Sequence, residues 1–91
     1  MDKNTKGVVF MGASRTILTS IRISGTTYGH RISRDSGITW SHITAVIEIL
    51  EELGLLRKLE KKGRIIPVVL TDKGERVADK ILEIELIVGG K

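Results

Sequence analysis

The feature that most constrains the fold is an apolar stripe within residues 40–53. Its members recur at intervals of three, one, three and three residues: Ile43, Val46, Ile47, Leu50 and Leu53. This spacing predicts a helix with one buried face. Thr39 is placed to cap its first turn, and Gly54 to end it, because glycine readily takes the left-handed conformation of a helix exit.

A shorter helix is predicted just before the stripe, from Tyr28 to Ser36, with a tight turn between the two. Ser33 is small enough for two helices to cross closely, and Gly37 is suited to turn the chain. The segment 29–56 therefore predicts two short helices around a turn, followed by a stop.

The flanking residues predict two more helices. A first helix is expected from Arg15 to about Ser24, with Ser14 as its N-cap. The break at residues 25–27 contains two β-branched threonines and permits a short strand. Thr71 is expected to cap the last helix.

A hairpin is predicted from two strands over residues 55–60 and 64–70, joined by a tip at residues 61–63 where a glycine supplies the turn. Pro67 has no N–H to donate to a ladder. Either the second strand is an edge, or Pro67 directs its nitrogen away from the neighbouring strand. The predicted class is α+β, mostly α, in a single domain of 91 residues.

Charge is unevenly distributed along this basic chain, whose formal net charge is +4. Residues 1–34 carry +5, residues 35–53 carry −4, residues 54–70 carry +4, and residues 71–91 carry −1. A basic domain of this size favours an anionic partner, with nucleic acid first. The positive charge lies before the striped helix and on the hairpin, whereas the striped helix itself has no Lys or Arg.

Several classes of function lack the residues they need. The chain has no cysteine, which excludes disulfides, thiolate metal sites and cysteine nucleophiles. His30 and His42 have no acidic residue at metal-ligand spacing, and no phosphate-binding glycine loop or nucleophile motif is present. We therefore expect no catalytic residues, no metal and no cofactor. No apolar run reaches the ~20 residues of a membrane helix, so a cytoplasmic protein without a membrane partner is expected.

The segment 29–56 resembles the helix-turn-helix of winged-helix transcription regulators, of the broad kind that includes the MarR family. The matching residues are Ile32, Ser33, Gly37, Ile38, Thr39, Ile43, Val46 and the run LEELGLL at 50–56. The hairpin is similar to the wing of these proteins, and LTDKG at 70–74 to their junction between wing and last helix. The absence of Cys and Gln, with one Asn, is typical of a heat-adapted source.

The resemblance covers roughly residues 14–85 and implies a winged helix-turn-helix with a two-stranded wing and a C-terminal helix. It divides the chain into an N-terminal arm (1–13), the winged helix-turn-helix (14–71) and a C-terminal dimerisation helix (72–91). It also implies a homodimeric transcription regulator whose partner is double-stranded DNA.

On this resemblance the striped helix is the recognition helix, which lies in the major groove. The candidate DNA contacts are Trp40, Ser41, His42, Thr44, Ala45, Arg31, Arg34, Lys61, Lys62 and Arg64. Ala45 stands where related proteins often carry Arg or Lys, so this position offers no bidentate contact to guanine. Two interpretations of Trp40 stay open, namely contact with sugar and phosphate or packing against the first helix. The basic wing tip is equally typical of a solubilising turn.

A second surface is predicted to join two copies of the chain. Residues on the last helix recur at intervals of four, three and four, as in a coiled-coil seam. An apolar run near the N-terminus also needs a cover. The candidate interface residues are Val77, Ile81, Ile84, Val88, Val8, Val9, Phe10 and Met11. Alternatively, the seam closes the core of the monomer.

Two other functions remain open at this point. A winged-helix domain can serve as a protein-interaction module that binds no nucleic acid, using the uncharged striped helix and the apolar outer wing face of Ile65 and Val69. A non-specific DNA-coating protein is the third reading of the same charge pattern.

Overall fold

The computed structural model describes residues 12–89, and within them four helices and three strands follow one another. In order they are α1 (Gly12–Ser24), β1 (Thr26–Tyr28), α2 (Gly29–Ser36), α3 (Trp40–Glu52), β2 (Leu56–Lys58), β3 (Pro67–Leu70) and α4 (Asp72–Gly89). This order confirms the predicted α+β class. None of the described helices is long and apolar enough to cross a membrane.

The start of α1 differs from the prediction, because the helix already includes Gly12 and Ser14. Ser14 lies within α1 rather than before it, and its side chain is fully buried. The Ser14 hydroxyl has no hydrogen-bond partner among the described residues. The prediction that Ser14 caps the helix is therefore wrong. Ala13 is buried in the core, so helical structure continues to an earlier residue than the polar side chain suggested.

The helix-turn-helix forms as predicted. Gly37 has φ 77° and donates its N–H to the Ser33 carbonyl at 2.9 Å. Ser33 also donates its hydroxyl to the Ile38 carbonyl at 2.5 Å, so it fixes the turn as well as occupying little space. Thr39 caps α3 by accepting the His42 backbone N–H at 3.4 Å. Gly54, just after the end of α3, has the left-handed conformation expected of it, with φ 77°.

The sheet has the strand order β1–β3–β2, with both pairings antiparallel. Since β3 is the central strand, the first of the two alternatives for Pro67, an edge strand, is wrong. Pro67 is instead the first residue of β3, a position where proline is tolerated in a strand. Its carbonyl accepts the Leu59 N–H at 2.8 Å, but the return bond of that pair cannot form without a proline N–H.

The two strands of the wing are therefore shorter than predicted, and the loop between them is longer. Residues 59–66 connect β2 to β3, and the ladder does not extend over them. Near their middle Lys62 and Ile65 exchange two backbone hydrogen bonds, at 2.8 and 3.0 Å. The turn itself is Gly63–Arg64, with φ 62° at the glycine, rather than residues 61–63.

The core lies between α1, α2, α3, the sheet and the first half of α4. Its buried apolar residues are Ala13, Ile17, Leu18, Ile21, Ile32, Ile43, Val46, Ile47, Leu50, Leu55, Leu56, Val68 and Ala78. The predicted buried face of α3 is confirmed, since Ile43, Val46, Ile47 and Leu50 belong to this set and Leu53 is partly buried against it.

The N-terminus of α4 is bonded to the loop in which α3 ends. The Thr71 hydroxyl donates to the Gly54 carbonyl at 2.6 Å and accepts the Gly74 N–H at 3.0 Å, as a cap does. The Thr71 N–H bonds the Leu55 carbonyl at 3.1 Å. Gly74 is buried so close to Leu55 that a Cβ there would lie 1.8 Å from the same carbonyl oxygen. α3 and α4 thus share one tightly packed joint.

Candidate nucleic-acid interface

α3 presents a polar, uncharged face at its N-terminal half. Ser41, His42 and Ala45 are exposed, while the apolar stripe faces the core. Thr44 is half-buried, and its hydroxyl donates to the Trp40 carbonyl at 2.8 Å within the helix. Its oxygen can therefore still accept a hydrogen bond from outside.

Trp40 packs against α2 through the side chain of His30. Its ring stacks on the imidazole of His30, with centroids 4.8 Å apart and planes 11° apart. Its indole nitrogen also lies close to the backbone of Gly29. About half of the side chain, 48%, stays exposed, so this stack holds one aromatic ring in place beside the outward face of α3.

A cleft of about 200 Å³ separates α3 from the wing. Trp40, Thr44 and Ile47 form its helix side, and Ile65, Ile66 and Val68 form its wing side. Ile65 and Ile66 remain 38% and 44% exposed. Side chains therefore do not fill the space between these two elements.

The wing tip carries three cations, Lys61, Lys62 and Arg64, all of them exposed. Among the described residues, no carboxylate lies within ion-pair distance of any of them. Their charge is consequently available to an outside anion.

The two arginines of α2 are differently placed, because both contact Asp35. The Arg31 Nε lies 3.7 Å from one carboxylate oxygen, and the Arg34 Nε lies 3.6 Å from the other. All three side chains are more than half exposed. An anion binding here would compete with Asp35, although such exposed pairs are weak.

The arginines of α1 bind the C-terminal helix. Arg22 donates to Asp79 at 2.7 Å, and Arg15 lies 3.4 Å from Glu85. The hydrogen bond from Arg22 lowers the pKa of Asp79, and the same bond raises the pKa of Arg22. These pairs join α1 to α4 in antiparallel orientation.

Lys58 at the end of β2 makes an ion bridge that the sequence did not indicate. Its Nζ donates to the Glu48 carboxylate on α3 and lies 3.5 Å from Glu51. The pKa of Lys58 is raised, mainly because its ammonium donates a hydrogen bond to Glu48. Partial burial acts in the opposite direction and lowers this pKa.

The predicted seam on α4 divides into two parts. Val77 and Ile81 are half-buried and pack against the monomer core. Ile84 and Val88 are 55% and 79% exposed, and Leu86 and Ile87 beside them are equally open. Val8, Val9, Phe10 and Met11 lie outside the described residues.

Sequence reasoning missed two contacts here, the His30–Trp40 stack and the Lys58 bridge. Each joins side chains from different elements, ten residues apart along the chain. Helical periodicity indicates which face a residue occupies, but not which side chain stands opposite, so no signal in the sequence pointed to either.

A helix-turn-helix followed by an antiparallel hairpin, with helices before and after, is a winged helix-turn-helix. Solved structures of transcription regulators share this fold. A MarR family regulator from Neisseria meningitidis matches with a TM-score of 0.80 and 18% identity, over 97% of this chain and 63% of its own. A transcriptional regulator from Thermotoga maritima matches with a TM-score of 0.70 and 29% identity, over 98% and 69%.

Two further solved structures of this fold are of proteins that are regulated by a small molecule or form a complex with one. BpsR of Bordetella bronchiseptica, whose DNA binding is regulated by 6-hydroxynicotinic acid, matches with a TM-score of 0.78 and 18% identity, over 98% of this chain and 66% of its own. NadR in complex with 4-hydroxyphenylacetate matches with a TM-score of 0.75 and 20% identity, over 94% and 71%.

The fold of the chain is thus the winged helix of MarR-like regulators, as the resemblance predicted. No family model and no curated protein matches the sequence. The chain spans between 59% and 72% of the lengths of seven similar solved chains, including the four above.

Proposed function

We propose that this protein is a homodimeric transcription regulator that binds double-stranded DNA with sequence preference. α3 lies in the major groove, and the wing tip contacts the flanking backbone. The observation that carries this proposal is the arrangement of an exposed, uncharged helix face beside a hairpin tip with three cations that pair with no carboxylate among residues 12–89. The similar fold of regulators such as BpsR supports it.

The two parts of this surface have different tasks in the proposed complex. Lys61, Lys62 and Arg64 bind phosphates, because their charges have no partner among the described residues. Arg31 and Arg34 share part of their charge with Asp35, so they contribute less.

Base reading falls to the N-terminal half of α3. Ser41 and His42 are exposed and can hydrogen-bond base edges, and Thr44 can accept such a bond. Ala45 offers a methyl group to thymine. Trp40, held by its stack on His30, packs on sugar and phosphate. With no cation on this helix, the sequence preference is modest and depends partly on DNA shape.

Fluorescence anisotropy with duplexes of different sequence tests the proposal. Lys62→Gln and Arg64→Gln should each weaken binding to every duplex and reduce the slope of log affinity against log salt by ~0.9. Arg76→Gln is the matched control, since Arg76 is an exposed arginine on α4 outside the proposed interface. It should leave the slope unchanged.

Variants of α3 should behave in the opposite way. Ser41→Ala and His42→Ala should alter the preference between a selected site and random DNA, by ~1–3 kcal/mol for a true base contact, with little change in slope. A wing tip whose neutralisation left affinity and slope untouched, together with no sequence preference, would contradict the proposal.

The dimer part of the proposal rests on the C-terminal end of α4. Ile84, Leu86, Ile87 and Val88 are exposed apolar residues on one helix, in a chain of 91 residues whose own core is small. α1 lies antiparallel to α4, so the start of α1 is near this end of α4, and the run at 8–11 precedes α1 in the sequence. We propose that these two segments form the interface between copies.

The rival function, a protein-interaction module, is favoured by the apolar cleft beside Trp40, Ile65 and Ile66. Salt-dependent binding to random duplex DNA separates the two functions, because the rival predicts none. Competition between a selected site and random DNA then separates a regulator from a non-specific coating protein.

A further inference from the structure

The wing is joined to the body of the domain mainly at its base. β2 pairs with β3 over three residues, and the ladder stops where Pro67 lacks an N–H. Beyond Lys58, the described backbone bonds of the wing are the Leu59–Pro67 bond and the pair between Lys62 and Ile65. Both are internal to the hairpin, so neither ties the tip to α3.

Packing does not fix the angle of the wing either. The cleft of about 200 Å³ lies between the wing and the outward side of α3, and the isoleucines on the wing side are partly exposed. An element that faces a cleft loses the close contacts that hold a packed surface in one position.

The Lys58 bridge crosses from the wing to α3 at the edge of this cleft. Lys58 is the last residue of β2, and its ammonium bonds Glu48 and approaches Glu51 at 3.5 Å. The Lys58 side chain is 29% exposed, whereas Glu48 and Glu51 are 54% and 39% exposed.

This lysine is poorly placed to bind a phosphate itself. Its charge is already shared between two carboxylates, and the three groups together carry a net charge of −1. A phosphate approaching the cluster would meet a negative field. The exposed cations of the wing tip have no such partners among the described residues.

We infer that Lys58 is a positioning residue, which sets the distance between α3 and the wing by bridging to Glu48 and Glu51. The inference rests on the proposed function, because that distance matters when one duplex binds both elements at once. A wing in the correct position lets the tip cations reach the backbone without a further loss of conformational freedom on binding.

The test uses Lys58→Met, which keeps the length of the side chain and removes its charge. Trp40 is the only tryptophan and lines the cleft, so its quenching by acrylamide reports the position of the wing in the free protein. Lys58→Met should increase this quenching. It should weaken binding to a selected duplex by about two- to five-fold and leave the salt slope unchanged.

A second background separates positioning from direct contact. In Glu48→Gln/Glu51→Gln the bridge is absent, so adding Lys58→Met should change neither quenching nor affinity. Thermal denaturation of each variant identifies any that fails to fold. The control for this triple variant is the double variant Glu48→Gln/Glu51→Gln with Lys58 unchanged, because both lack the same two carboxylates.

Three results would overturn the inference. A loss of ~0.9 in the salt slope that persists in the double-glutamine background would show that Lys58 contacts a phosphate. Quenching and affinity unchanged by Lys58→Met would show that the bridge positions nothing. Quenching that increases without a loss of affinity would show that the wing position does not affect binding. If the unaltered protein bound no duplex, the proposed function would fail, and the quenching arm would still test the bridge.

Discussion

Replacing Gly74 with alanine should destabilise the protein, although alanine is the better helix former. Gly74 lies in the first turn of α4, where the substitution gains up to about 1 kcal/mol of helix propensity. Its new Cβ would stand 1.8 Å from the Leu55 carbonyl oxygen and 2.8 Å from the carbonyl carbon. Both atoms belong to the backbone, so a side-chain rotation cannot relieve the contact.

Relief requires α4 to move away from Leu55 by about 1 Å or more. This movement stretches the 3.1 Å bond from the Thr71 N–H to the same carbonyl, a bond worth about 0.5–1.5 kcal/mol. It also loosens the fully buried Ala78 and the residues around it, at the ~1–3 kcal/mol typical of overpacking. The net loss should be about 1–3 kcal/mol, which is a fall in Tm of about 5–20 °C for a domain of this size.

Thermal denaturation at one fixed protein concentration measures the effect, since a dimer would make Tm depend on concentration. Gly29→Ala is the matched control, because Gly29 also lies in the first turn of a helix. A Cβ there meets side-chain atoms at 3.6–3.7 Å, which is ordinary contact. Its Tm should stay the same or rise slightly. A Gly74→Ala protein at least as stable as Gly29→Ala would refute the account of the joint.

Three other predictions concern separate parts of the chain. Ser33→Leu removes the hydroxyl bond to Ile38 and overfills the helix crossing, so calorimetry should find it less stable by ~1–3 kcal/mol. Changing Ile84 and Val88 together to Glu should leave the core intact and produce a folded monomer; sedimentation of an unaltered protein that is already monomeric at tens of micromolar would contradict the proposed dimer. Arg22 lowers the pKa of Asp79, so the pair stabilises the fold above about pH 4 and loses this effect as pH falls further. The Tm difference between Asp79→Asn and the unaltered protein should therefore be largest near pH 7 and should shrink towards pH 3.

The parts of the fold that could be predicted from the sequence are those fixed by local geometry. The caps and turns at Gly37, Thr39 and Gly54 depend on the residue itself and its near neighbours, and they formed as expected. Ser14 was misjudged because a polar residue beside an apolar face resembles a cap. Whether a helix starts there depends on whether the preceding residues find a core to enter.

The sheet and the interface could be predicted only in outline. The sequence predicts a strand over residues 64–70 but not its neighbours, so it does not reveal the pairing with β1 that makes β3 central. The same limit applies to the interface. The sequence indicated which residues of α3 face outward, but the Asp35 contacts and the Lys58 bridge depend on how elements pack together.

The joint between α3 and α4 connects the two proposed surfaces. The hydrogen bonds of Thr71 and the close approach of Gly74 to Leu55 join the start of α4 to the loop that follows α3. In the proposed dimer, we expect the packing of the two copies of α4 to influence the distance between the two copies of α3. Recognition helices that read adjacent major grooves need a separation of about 34–36 Å. The described domain measures 43 × 30 × 25 Å, so two copies side by side can provide this separation. A change in how the C-terminal ends pair would alter DNA affinity without altering any residue of α3.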